Sequence, residues 1–417
     1  WINHDIDTDN PSTFGGGPFD VFGAKSTSRQ YVYSGSYHQP ITDWWDQKIT
    51  VSHARETLIS QGGPNQRSII TGVESVPGAF NSSDIRTKSN RIEWQSNVQI
   101  GEPVLLTGGY QFREQLGENK GTIAEKITSS HSGFLQAQLN LFDRFFATAG
   151  VRQDAHNSAG DSTTYRVTGG YLLKETGTKF RASYATGFRA PAINELFFPD
   201  FGNPTLLPEK SQNYEVAVDQ SIFQKRVKVS VGYFWSRYRD LIVGAFDPAV
   251  CSPFAQGEFC AQNIGNAKVN GVETSISAVV LKDLPLIKRL NFDGQYTHTS
   301  TRDLMTNARL ARWAVHQASA SVNYQPIEPL NMTSTFRYVG KRFSTTGNQR
   351  PLPDFYIFNF SMTYQLNQWF EVFTRVENLL NRHYEEVLFF GTPGRSIWGG
   401  VRVEFEIPVL SDSSSNE

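Results

Sequence analysis

The 417 residues carry 39 Lys and Arg against 40 Asp and Glu, a formal charge of -1, with 39% hydrophobic and 13% aromatic residues. Mean hydropathy is -0.39, and no apolar run approaches the roughly eighteen residues that a membrane helix needs, which excludes a helical membrane protein. The balanced charge supplies no long-range field for nucleic acid, the apolar content excludes a disordered chain, and only 2 cysteines exclude a disulfide scaffold.

In chain order, the sequence opens Trp1-Ile2-Asn3-His4 with no Met, basic stretch or apolar leader, so a targeting segment is expected to have been removed or to lie upstream. Asp5, Asp7 and Asp9 then alternate in a predicted first loop. Oxygen ligands at this spacing can surround calcium, and a solvated acidic turn is the other reading, because the Gly and distal Glu of an EF-hand loop are missing. From there period two dominates. Lys225 to Ser236 places Val227, Val229, Val231, Tyr233 and Trp235 on one face and Arg226, Lys228, Ser230 and Gly232 on the other. Asp354 to Leu366 repeats the pattern with Tyr356, Phe358, Phe360, Met362 and Tyr364, and Val401, Val403 and Phe405 close it. The one helix-like patch is Ala190 to Leu196.

Marking each alternation predicts about seventeen strands, at 30–38, 44–56, 85–100, 103–117, 127–142, 143–155, 161–174, 177–187, 212–222, 224–246, 261–280, 287–301, 310–325, 329–343, 354–366, 368–378 and 396–406. Short connections alternate with long ones, the long ones being 57–84, 118–126, 156–160, 188–211, 247–260, 302–309, 344–353 and 379–395. A chain that turns tightly at one end and loops widely at the other has the rhythm of an outer-membrane barrel with periplasmic turns and extracellular loops. Strands of about ten residues suffice to cross when tilted. Trp44, Trp45, Tyr110, Phe145, Phe146, Trp369 and Trp398 near strand ends suit interfacial girdles. The fold class is therefore all-β, a transmembrane antiparallel β-barrel over residues 1–406, with 407–417 a polar C-terminal tail. A secreted sandwich or β-helix is the alternative, but no linker divides the chain into sandwich-sized units and no short repeat marks a β-helix.

Tyr184-Ala185-Thr186-Gly187-Phe188-Arg189-Ala190-Pro191 is followed by Gly202-Asn203-Pro204-Thr205-Leu206-Leu207-Pro208-Glu209-Lys210-Ser211 and Tyr214-Glu215. Further on come Asn263-Ile264-Gly265-Asn266-Ala267-Lys268-Val269-Asn270-Gly271-Val272-Glu273 and Val376-Glu377-Asn378-Leu379-Leu380-Asn381-Arg382, with Gly391-Thr392-Pro393-Gly394-Arg395. In this order the segments resemble TonB-dependent outer-membrane receptors. The resemblance implies a barrel of about twenty-two strands whose lumen holds an N-terminal plug. Neither a plug nor a TonB-contacting segment is recognisable, so the sequence is expected to be the barrel portion, beginning after the fifth strand. Gly400-x-x-Val403-x-Phe405 resembles the family's terminal strand, although family members usually end there and this chain continues to Glu417.

The resemblance further implies a Gram-negative outer-membrane location, TonB as energising partner, contact with outer-membrane lipid, no nucleic acid, and import of a ferric siderophore or cobalamin without catalytic residues. Some cobalamin-type receptors order early loops with calcium, which is why Asp5, Asp7 and Asp9 stay in view. Candidate ligand contacts are Phe188, Arg189, Phe197, Phe198, Phe201 and Asn203 in the loop after the Phe-Arg-Ala-Pro segment, and Tyr384, Phe389, Phe390 and Arg395 in the last loop. Large apolar faces and guanidinium groups suit a bulky anionic chelate. The plainer reading of these residues is girdle or loop packing. Cys251 and Cys260, in one predicted extracellular loop, are expected to form a disulfide. No His lies between Ala192 and Gly202, which disfavours haem. A passive porin and a barrel phospholipase are the rival classes, and neither accounts for the ordered segments.

Overall fold

The computed structural model describes residues 2–7, 19–22, 25–61, 65–68, 74–75, 83–199, 201–246, 248–251, 259–388 and 391–404. Eighteen strands form one sheet. They are β1 (Ile2–Asp7), β2 (Lys25–Thr42), β3 (Trp45–Gln61), β4 (Ser83–Ile100), β5 (Val104–Asn119) and β6 (Ile123–Leu141). Next come β7 (Phe145–His156), β8 (Gly160–Leu173), β9 (Thr178–Arg189), β10 (Glu209–Ile222), β11 (Val227–Phe246) and β12 (Phe259–Leu284). The last are β13 (Ile287–Asp303), β14 (His316–Gln325), β15 (Leu330–Val339), β16 (Phe355–Gln365), β17 (Phe370–Glu377) and β18 (Ser396–Val403). Neighbouring strands pair antiparallel, for example Phe145↔Tyr171, Tyr214↔Trp235 and Arg375↔Trp398.

The predicted alternation reappears as two chemically distinct faces. On β11, Val231 and Tyr233 are exposed on the same face as Val216 of β10 and Val272 of β12. The opposite face carries Arg181, Glu215, Asp219 and Ser230, joined by hydrogen bonds. A water-soluble sheet of this kind would hide its apolar face against a second layer. Here that face is open, as a lipid-facing wall requires. From Val227 to Trp235 the strand spans about 27 Å, which a tilt of roughly 40° reduces to about 21 Å, close to the apolar band of such barrels.

Tight turns gather at one end of the wall. Phe142 and Asp143 both take positive φ (56° and 49°) as the central residues of a turn closed by Arg144 N–H on the Leu141 carbonyl at 3.0 Å, a conformation that matches strand twist, and Gly177 (69°) serves another turn. The other end differs from the sequence reading in four places. The expected loops 118–126 and 156–160 contract to 120–122 and 157–159, because the ladders continue beyond the apolar band, sealed by Asp84 N–H donating to Asn119 Oδ1 at 3.2 Å. Residues 310–315, expected as strand, instead fold over the wall, where Arg312 N–H reaches the Phe343 carbonyl at 2.6 Å and Ala314 is buried beneath Tyr384. The eighteenth strand is β1, whose Asp5 and Asp7 pair with Thr27 and Lys25 where the sequence suggested a loop. Asp9 and the 405–417 tail lie outside the described residues.

A candidate ligand-binding site at the loop end

The 190–208 connection is folded from its own sequence. Glu195 accepts the Ala192 N–H at 2.7 Å and opens the one-turn helix α1 (Ile193–Phe197). Gly202 then lets the backbone double back, since a Cβ there would stand 2.6 Å from Phe198 N and 2.7 Å from Phe197 N. Leu196 and Leu206 fold inward onto Ala261 of β12, with Phe197, Phe201 and Ile242 around them.

Long-range hydrogen bonds then fasten this loop to the neighbouring wall. Asn203 is 3% exposed; its Oδ1 accepts from Thr205 N–H at 2.9 Å and its Nδ2 donates to the Ala261 carbonyl at 3.0 Å. Ala261 N–H donates in turn to the Phe201 carbonyl at 2.8 Å. Asn263 accepts from Leu207 N–H at 2.7 Å and returns a bond to the Leu207 carbonyl at 2.8 Å. Beside these, Cys251 and Cys260 form the expected disulfide, wholly buried, with Gln262 Nε2 donating to Cys251 Sγ at 3.1 Å.

Arg189 is the electrostatic anchor. It donates to both oxygens of Glu209 at 2.6 Å and to both oxygens of Glu195 at 3.0 and 3.1 Å. Burial would raise the Glu209 carboxyl, but bonds from Arg189 and from Ile242 N–H hold it below the ordinary carboxylate range. The same pairing, Glu209 foremost, raises Arg189 further above neutrality. Two carboxylates on one guanidinium leave Arg189 little capacity to bind an anion itself.

Between this loop and the inner face of β4–β7 lies a cavity of about 600 Å3 lined by Arg189, Ile193, Phe198, Gln115, Thr128 and His156. Burial, and then the charge of Arg113, lower the affinity of His156 for a proton, so it presents a neutral imidazole whose Nδ1 accepts from Ser158 N–H at 3.2 Å. Further down the same inner face Arg91 stands directly opposite Arg113, and Arg152 pairs with Asp154 at 3.0 Å. The site therefore offers an aromatic and aliphatic wall, neutral hydrogen-bonding groups and a cationic floor.

The sequence-derived candidates separate into three groups. Arg189 and Phe198 line the cavity, the first through its loop anchor and the second at 39% exposure. Phe197, Phe201 and Asn203 are packing and tethering groups; Lys126 Nζ sits 4.9 Å over the Phe197 ring. Phe188 pairs with Lys210 and, by alternation, points to the face opposite Arg189. In the last loop Tyr384 stacks on Phe355 at 4.3 Å, away from the cavity, and Arg395 is exposed with its N–H bonded to Asn381. Phe389 and Phe390 lie outside the described residues. Gln115, Thr128 and His156 escaped the sequence reading, although their inward parity on three successive strands was the available signal.

The TonB-dependent receptor-like β-barrel family model matches residues 2–379. The chain belongs to the TonB-dependent receptor β-barrel family. Members are outer-membrane transport receptors rather than enzymes. The vitamin B12 transporter BtuB of Photobacterium profundum is 25% identical over 324 residues, covering 78% of this chain and 51% of that protein. The chain thus spans about half the length of this curated relative. Among solved structures, the siderophore receptor PiuA of Acinetobacter baumannii superposes with a TM-score of 0.73 at 13% identity, covering 92% of this chain and 65% of that one. The copper transporter OprC gives 0.72 at 14% identity, with 93% and 67% covered. At such identities these two show the fold alone.

Proposed function

We propose that this chain is the wall and extracellular loop set of a receptor that binds a scarce metal chelate, a ferric siderophore or a cobalamin, and imports it with energy delivered through TonB by way of a plug in the lumen. The observation that carries the reading is the braced 190–208 loop. Anchored by Arg189, Asn203, Asn263 and the Cys251–Cys260 disulfide, it frames a cavity of about 600 Å3 that leads onto the inner face. A pocket of that size, apolar on one side and polar on the other, accommodates part of a bulky chelate. Arg91 and Arg113, directly opposite each other across one ladder, favour a ligand with negative charge. The inner face also offers a polar recess lined by Glu273 and the Arg181–Glu215 pair, a hydrogen-bonding surface suited to the polar face of a plug. BtuB as a relative supports cobalamin, and the ferric alternative is kept because the wall shares its fold with the siderophore receptor PiuA.

Uptake by a receptor-deleted Gram-negative strain expressing the full-length protein tests this directly. Growth or radiolabel accumulation with cobalamin or one class of ferric chelate is expected, abolished by an uncoupler and by deletion of TonB. Accumulation that persists after collapse of the proton-motive force would point to passive diffusion instead.

A further inference from the structure

The outward face of β10–β13 carries a concentration of positive charge that the transport reading does not use. Tyr184, Tyr214 and Trp235 form an aromatic row across β9–β11, with ring centroids 4.8 and 5.3 Å apart. One rung nearer the loop end, on the same face, Arg237 of β11 stands directly opposite Lys268 of β12, and Lys268 directly opposite Arg302 of β13. A further rung on, Lys210 of β10 is opposite Arg239 of β11.

Like charges facing each other across a ladder are destabilising. Natural strands commonly intersperse carboxylates, as this chain does on β4–β5, where Arg86 pairs with Asp84 and Glu118 and Lys120 with Asp84. Lys210, Arg237, Arg239, Lys268 and Arg302 have no ion pair among the described residues, unlike Lys282 and Lys288 at the tight-turn end of the same strands. Arg237 Nε is buried without a hydrogen-bond partner, so the wall itself supplies no acceptor to this nitrogen. The protein has a net charge of only -1, so the cluster is a local arrangement.

We infer that Arg237, Lys268 and Arg302, with Lys210 and Arg239 above them, form a docking surface for the phosphate groups of a membrane lipid headgroup. The location decides the source of phosphate. The cations continue directly from the Tyr–Trp row and the exposed apolar band below it, so a lipid whose chains lie on Val216, Val231 and Tyr233 brings its headgroup to their level. Arg237 and Arg302 offer planar forks to phosphate oxygens, and Lys268 between them a point charge. The inference rests on the outward face lying in a membrane but not on the identity of the imported ligand.

Full-length receptor purified in neutral detergent and titrated with diphosphoryl lipid A, read by native mass spectrometry, tests it. The Arg237→Gln/Lys268→Gln/Arg302→Gln variant is expected to bind about tenfold more weakly, since charge-assisted bonds are the strong part of such contacts. Lys282→Gln, near the tight-turn end, is expected to bind like the parent. Equal lipid binding by the triple variant and the parent overturns the inference. So does inorganic phosphate binding the cluster as tightly as the lipid, which would make it a free-anion site. Heat-modifiable gel mobility reports whether the triple variant folds. If it does not, Arg237→Lys, which keeps charge and loses the fork, is expected to weaken binding about threefold, and unchanged affinity then counts against the surface. Chelate binding by the same variants is expected to stay at parent level, so failure here is distinguishable from failure of the transport reading.

Discussion

Arg189 shows how one residue sets the form of the site. Its guanidinium holds Glu195, which opens α1, and Glu209, which begins β10, so a single side chain joins both ends of the loop. Arg189→Met leaves two carboxylates facing each other, and we expect a local destabilisation on the order of 1–2 kcal/mol, allowing for the solvent that reaches the group. Hydrogen exchange should show faster exchange across 190–208 with the wall strands unchanged. The pH dependence has a definite sign. Glu209 is held below its ordinary value of 4.5, so its contribution is fully present above that value and is lost as pH falls through the depressed one. Protease protection of the 190–208 loop is therefore expected to be constant from neutrality down to about pH 5 and to decline below it. Protection that instead weakens between about pH 8 and 6 would mean that another group governs the loop.

Among elements, the loop braces and the strands can be perturbed separately. The Cys251–Cys260 bridge closes a short loop, with a sequence separation of 9, and a loop of that size corresponds to about 2–3 kcal/mol of chain entropy. Cys251→Ser/Cys260→Ser should loosen the 248–260 segment and, through Ala261, the Phe201 and Asn203 tethers, lowering chelate affinity while heat-modifiable mobility stays intact. Gly202→Val should resemble it, because the added side chain meets the Phe197 and Phe198 backbone. The wall responds by parity. Val231→Arg places a charge in the apolar band and should cost about 2–4 kcal/mol, whereas Ser275→Arg on the inner face should cost far less. The folded fraction recovered in detergent under increasing urea measures both, and equal losses would refute the assignment of the two faces.

At the scale of the whole molecule, the strand period, the alternation of tight and wide connections and the ordered family segments were all legible in the sequence. Each is a local property: parity follows from the pleat, turns from the residues that accept positive φ, and segment order from the chain itself. The disulfide was legible too, because two cysteines nine apart in one loop have few alternatives. Only the tertiary structure decided that Phe201 and Asn203 tether the loop, that Phe188 faces outward while Arg189 lines the cavity, and that His156, Thr128 and Gln115 meet that cavity from three other strands. It also decided that Arg237, Lys268 and Arg302, far apart along the chain, stand in one row. The reason is register. A one-residue slip between neighbouring strands exchanges inner and outer faces and breaks every such row, and that slip is fixed by hydrogen bonds and packing between distant segments, which no local pattern encodes.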